Sequence, residues 1–156
     1  ASAKGNEAAW QYAKTAADAE EKYFLLNNFK FRTTVSGVET DKLYASTVDL
    51  TNNVTKNAMD EAVRVLIIGA NGSQIYNVGT QQWSYFDKDG KSVAKDNFEG
   101  LITKVVYGAD NSENQSVKVF LYYEGADAAL YTTNLNTMQG VTANITFSVD
   151  PTAFGA

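Results

Sequence analysis

At 156 residues with a net charge of −5 and neither histidine nor cysteine, the chain is long enough for one domain with a sizeable core. The missing residue types exclude disulfides, thiolate nucleophiles, Cys- or His-based metal sites and the Ser-His-Asp triad. Acidic balance without a Lys/Arg cluster argues against nucleic acid and against an anionic membrane surface, because both need a basic face.

No run of about 18 apolar residues occurs, so no membrane insertion through a transmembrane helix is expected. The chain opens on Ala1-Ser2-Ala3. That reads as a mature terminus after signal-peptide cleavage, and the expected location is extracellular or on the cell surface.

Residues 1–28 form a compositionally distinct arm, and residues 29–156 read as the β domain. Glu7 to Leu26 is rich in the helix formers Ala, Glu, Lys and Gln. A capping-box-like Thr15-Ala16-Ala17-Asp18 would start a helix after Thr15. Ahead of it, Ala8, Trp10 and Tyr12 alternate at the strand period. The arm is thus helical or extended, and as an extended segment it would present those three side chains on one face.

From Phe29 the period is two: Phe29, Phe31, Thr33 and Val35 alternate with Lys30, Arg32 and Thr34. In the next strand Tyr44, Ser46, Val48 and Leu50 make the more apolar face. Thr55 would cap a short helix over Lys56–Ala62. Val63 to Gly69 is a near-continuous apolar run, as a strand buried on both faces requires. Asn71-Gly72 signals a hairpin into Gln74-Ile75-Tyr76. Trp83 to Val93 reads as strand, Asp-Gly turn, strand. Leu101 to Tyr107 reads as a further strand, and Ser116 to Tyr123 as a central one ending at Glu124-Gly125. In the last strand Ala143, Ile145, Phe147 and Val149 face in, and Thr142, Asn144, Thr146 and Ser148 face out. Eight or nine strands with little helix predict a mainly β fold of two facing sheets, a sandwich or jelly roll.

Candidate sites are few. Asp87-Lys88-Asp89-Gly90 has the start of a calcium loop, but the twelfth position is Phe98 where a bidentate Glu belongs, so a hairpin turn is the better reading. Glu124 and Asp127 lie too close together in one loop to suggest a glycosidase pair. Asp60 and Arg64 suit an i, i+4 ion pair of small value. Trp83, Tyr85, Tyr107, Tyr122, Tyr123 and Tyr131 would either pack inside or line a sugar platform. Sequons at Asn53, Asn71, Asn114 and Asn144 are expected in turns or on an outward face, as possible glycan sites. No catalytic, cofactor-binding or metal-ligating residue is expected, and no cofactor.

The stretches "VKVFLYYEGADAAL" and "GVTANITFSV" together resemble TasA/camelysin-like secreted proteins. "MDEAVRVLIIGANG", a short helix running into a central strand, is similar to their Arg-containing strand. The resemblance covers about a third of the chain. It implies a jelly-roll subunit of extracellular or biofilm-matrix fibres, in which an N-terminal strand of one subunit completes a sheet of the next. Camelysin-type proteolysis is not carried over, because the chain has no His-Glu-x-x-His. The expected function is therefore a filament subunit, pilus or matrix fibre, that polymerises with itself by donor-strand exchange through Ala8, Trp10 and Tyr12. The competing expectations are a surface module binding carbohydrate or protein, and a phage tail or virion component.

Overall fold

A computed structural model describes residues 25–52, 62–108, 113–123 and 141–150. These residues form eight strands in two sheets. β1 is Leu25–Lys30, β2 Tyr44–Asn52, β3 Val63–Gly69, β4 Gly72–Asn77, β5 Gln82–Asp87, β6 Ser92–Val93, β7 Ser116–Tyr123 and β8 Val141–Ser148. The larger sheet has the order β1-β7-β3-β4-β5-β6, and β2 pairs with β8 in the smaller one. All ladders are antiparallel. The protein is mainly β with two facing sheets, as its alternating periods predict.

β3 and β7 are the strands whose both faces must be apolar, and their sequences supply this. Val65, Ile67, Val117 and Val119 point into the core shared with Tyr44, Ala45 and Val48 of β2. On the opposite face Leu66 and Phe120 cluster with Ile75, Phe86 and Tyr122. β8 has only one covered face, so its sequence alternates: Thr142, Asn144 and Thr146 are exposed, while Ala143, Ile145 and Phe147 are half-buried.

Several expectations are corrected. β1 begins at Leu25, ahead of the change of period at Phe29, so the first strand starts inside the stretch assigned to the arm. It stops at Lys30, and Val35 is exposed in a turn where Val38 N–H donates to the Val35 carbonyl. Leu101 to Tyr107 makes isolated bridges rather than a ladder. Its backbone groups are met one at a time by separate segments. Leu101 N–H donates to the Leu43 carbonyl and Leu43 N–H to the Ile102 carbonyl, both at 2.8 Å. Val106 N–H donates to Gln115 Oε1, and Gln115 Nε2 donates to the Lys104 carbonyl, both at 3.1 Å.

On the face expected for β2, Tyr44, Ser46 and Val48 are buried, but a bulge interrupts the strand. Ala45 is opposite Phe147, but Thr47 is opposite Thr146, so Ser46 has no partner of its own. Such an extra residue reverses the parity of the strand. Both faces are buried before it, from Leu43 to Ser46, whereas after it Val48 is buried and Thr47 and Asp49 are exposed. The proposed helix over Lys56–Ala62 lies outside the described residues except for Ala62, which is fully buried just before β3.

The β3–β4 hairpin turns through Ala70 and Asn71 and is pressed onto the segment from Phe98 to Ile102. Asn71 N–H donates to the Leu101 carbonyl at 3.0 Å. A Cβ on Gly69 would overlap the Leu101 carbonyl, and one on Gly72 would lie 2.8 Å from the Phe86 carbonyl oxygen. Gly69→Ala therefore forces two backbones apart. Chemical denaturation should show a loss of about 2–4 kcal/mol, of the size typical for core overpacking and strain. An unchanged midpoint would mean that the segment after Phe98 yields freely.

Candidate functional site

The smaller sheet covers the larger one unequally. Gln74 of β4 reaches β2: its Oε1 accepts from Ala45 N–H at 2.9 Å and its Nε2 donates to the Ala45 carbonyl at 3.0 Å. β8 lies on the other side, over β1, where Phe147 meets Phe29 and Phe31 with ring centroids 6.3 and 5.0 Å apart. The outer edge of β8 has no strand beside it among the described residues.

Along that edge runs an apolar groove of about 490 Å³. Val65, Val119 and Leu121 form its floor, and Asn27, Phe29 and Phe31 line its β1 side. Ala143, Ile145 and Phe147, the inward set of β8, make its wall together with Thr142. Phe29 remains 42% exposed there, although its neighbour Val117 in the ladder is fully buried. Among the described residues the groove borders an unpaired strand edge and is lined by apolar side chains with Asn27 and Thr142. Its chemistry suits an extended, apolar-faced segment.

A second cavity, about 450 Å³, is lined by Asp41, Lys42, Lys95 and Asp96 around Tyr44 and Phe98. Its charges alternate in sign, and Lys42 is already bound to Glu99 at 2.8 Å. Burial pushes the Tyr44 hydroxyl up, opposed by the nearby Ser148 side chain and reinforced by Asp150 and Asp41.

Among the described side chains the aromatic residues Trp83, Tyr85, Tyr107 and Tyr122 do not assemble into a platform. Tyr85 belongs to the core between the sheets and Tyr122 to the opposite face of the larger sheet. Trp83 packs on Tyr76 with centroids 4.9 Å apart, and Tyr107 is exposed. Tyr131 lies outside the described residues, as do Glu124, Asp127 and Asp60. Arg64 is a strand residue in β3 whose guanidinium Nη1 donates to the Val63 carbonyl at 3.1 Å.

Asp87 starts a hairpin turn. Its Oδ1 accepts from Asp89 N–H and Lys91 N–H, each at 2.9 Å, and Gly90 takes the left-handed φ of 77° that closes the turn. Among the described residues no group of three or more His, Cys, Asp or Glu could hold a metal ion, and no helix is long and apolar enough to cross a membrane.

Of the sequons, Asn144 is exposed on the outward face of β8, and Asn114 is exposed just before β7. Asn71 differs: its Nδ2 donates to the Glu99 and Gly100 carbonyls at 2.8 and 3.2 Å, bonds that a glycan would break. Asn53 lies outside the described residues, as do Ala8, Trp10 and Tyr12.

Sequence reasoning found the inward residues of β8 but missed the groove and both bridging glutamines. A Gln within an apolar strand, as in Ser73-Gln74-Ile75, was the available signal. Comparison with protein-family models, curated proteins and solved structures gives no match for this chain.

Two measurements follow from these geometries. Burial pushes the Tyr85 hydroxyl up to about 12. A phenol whose pKa is raised on folding stabilises the fold fully below the unfolded value of about 10 and loses that contribution as pH rises towards 12. Stability should fall across that window, and Tyr85→Phe should flatten the slope; an equally steep profile in the variant would assign it elsewhere. Separately, excess chelator should leave the melting temperature unchanged, because the Asp87 carboxylate is occupied by its own turn. A drop of many degrees would reveal a bound cation.

Proposed function

We propose that this protein is the structural subunit of an extracellular filament, a pilus or matrix fibre, built by donor-strand exchange. The observation that carries the reading is the edge of β8, which has no strand beside it among the described residues, together with the apolar groove it borders on the face of the larger sheet. An uncovered edge of this kind invites pairing with another chain. A strand added there gains backbone hydrogen bonds from the edge and side-chain burial from the groove.

The occupant is the N-terminal arm, residues 1–13, of a second copy. Ala8, Trp10 and Tyr12 alternate as the groove requires, and burying Trp10 alone contributes on the order of 2–3 kcal/mol. The joint is head-to-tail, so it does not close on itself and propagates as a filament. The exposed sequons at Asn114 and Asn144 suit an extracellular setting. The reading needs no cofactor.

Deletion of residues 1–13 tests it. The shortened chain should keep its β spectrum, lose filaments in electron micrographs and sediment as a monomer. Ordinary filaments from the shortened chain would place the joint elsewhere and end the donor-strand reading.

A further inference from the structure

The strand directions constrain how an arm from another copy fits. β3 runs from Val63 to Gly69, and β7 is antiparallel to both β3 and β1, so β1 and β3 run the same way. The start of β2 is tied to the far end of β3. Leu43 exchanges hydrogen bonds with Leu101 and Ile102, and the Leu101 carbonyl accepts from Asn71, just beyond Gly69. β2 therefore runs back along the sheet, and β8, antiparallel to β2, runs with β1 and β3. The contact of Phe147, near the end of β8, with Phe29 and Phe31 agrees.

The groove thus has two distinguishable ends. The near end holds Thr142 and is where the arm joins the body at Leu25. The far end holds Phe31 and Phe147. In copies stacked head to tail along the groove, an arm leaves one body at the near end and enters the next body through its far end. Its later residues then lie at the far end and its first residues reach towards the near end.

Resting on the donor-strand reading above, we infer that the incoming arm runs parallel to β8, with Ala8 beside Ala143, Trp10 beside Ile145 and Tyr12 beside Phe147. Neighbouring strands in register present the same face at paired positions, and these three residues of β8 are its inward set. The two aromatic residues of the arm then meet the aromatic end of the groove, where Phe29 is left open. Residues 14–24 remain to span the step between bodies, a reach of up to about 36 Å at ~3.3 Å per residue. An arm folding back into the groove of its own body would run the opposite way, antiparallel to β8, with Tyr12 at the Thr142 end. Polarity therefore separates exchange between copies from closure within one.

The chain has no cysteine, so engineered pairs report this directly in the full-length protein. Gln11 falls beside Thr146 in the parallel register, and Thr142 and Thr146 are both exposed. Under mild oxidation Gln11→Cys with Thr146→Cys should give a ladder of covalent multimers on a denaturing gel, and Gln11→Cys with Thr142→Cys should not. A ladder from the Thr142 pair alone would overturn the polarity and leave strand exchange standing. A disulfide formed within single chains, independent of protein concentration, would mean that each arm fills its own groove, and would overturn both. Absence of cross-links from either pair would overturn this register, and the filaments of the full-length chain would then decide whether strand exchange stands.

Discussion

The Gln74 side chain is the contact on which the unequal sandwich depends. It is fully buried, and it supplies both the acceptor and the donor that Ala45 needs. A buried backbone group left without a partner costs about 1–3 kcal/mol, so a bulged strand inside a sandwich has to find substitutes for its ladder. Gln74 is one substitute. The Ser46 hydroxyl, which donates to the Thr146 carbonyl at 3.2 Å, is another. At this level an amide side chain does for β2 what a third strand would otherwise do. The smaller sheet is closed there by the larger one, and among the described residues its unpaired side is the edge of β8.

The groove follows from that asymmetry. Among the described residues two strands face a sheet of six. β2 is drawn towards β4 by Gln74, and β8 reaches only as far as Phe29 and Phe31. Gln115 repeats the device at the other margin, holding the irregular segment around Lys104 and Val106 through one acceptor and one donor. Two buried amides thus anchor the parts of the backbone that the ladders miss, while the ion pairs Lys42–Glu99 and Lys104–Glu39 are exposed and contribute little.

Much of the fold was legible because burial on one or two faces leaves different marks on a strand. The continuous runs of β3 and β7 and the strict alternation of β8 each state how many faces are covered. Asn71-Gly72 and Asp89-Gly90 marked their hairpins. The segment from Leu101 to Tyr107 misled because Leu101, Ile102 and Val105 are core residues spaced as a strand would space them, whereas hydrogen bonding, which periodicity does not record, is divided among several neighbours. The bulge at Ser46 was illegible for a related reason: one inserted residue swaps the inward face midway, and either parity looks plausible. The inward wall of the groove could be read as Ala143, Ile145 and Phe147. The groove itself could not, since among the described residues it arises from the difference in strand number between the two sheets.

The pairing of β2 with β8 joins segments near opposite ends of the chain, with Tyr44 opposite Ser148. Contacts so distant in sequence are late and slow to form, since the whole intervening loop must be closed first. A nascent chain emerging from its N-terminus therefore carries β2 long before it carries the strand that pairs with it. β2 waits without its ladder until β8 appears. Synthesis order thus puts every strand of the larger sheet in hand before the smaller sheet can close.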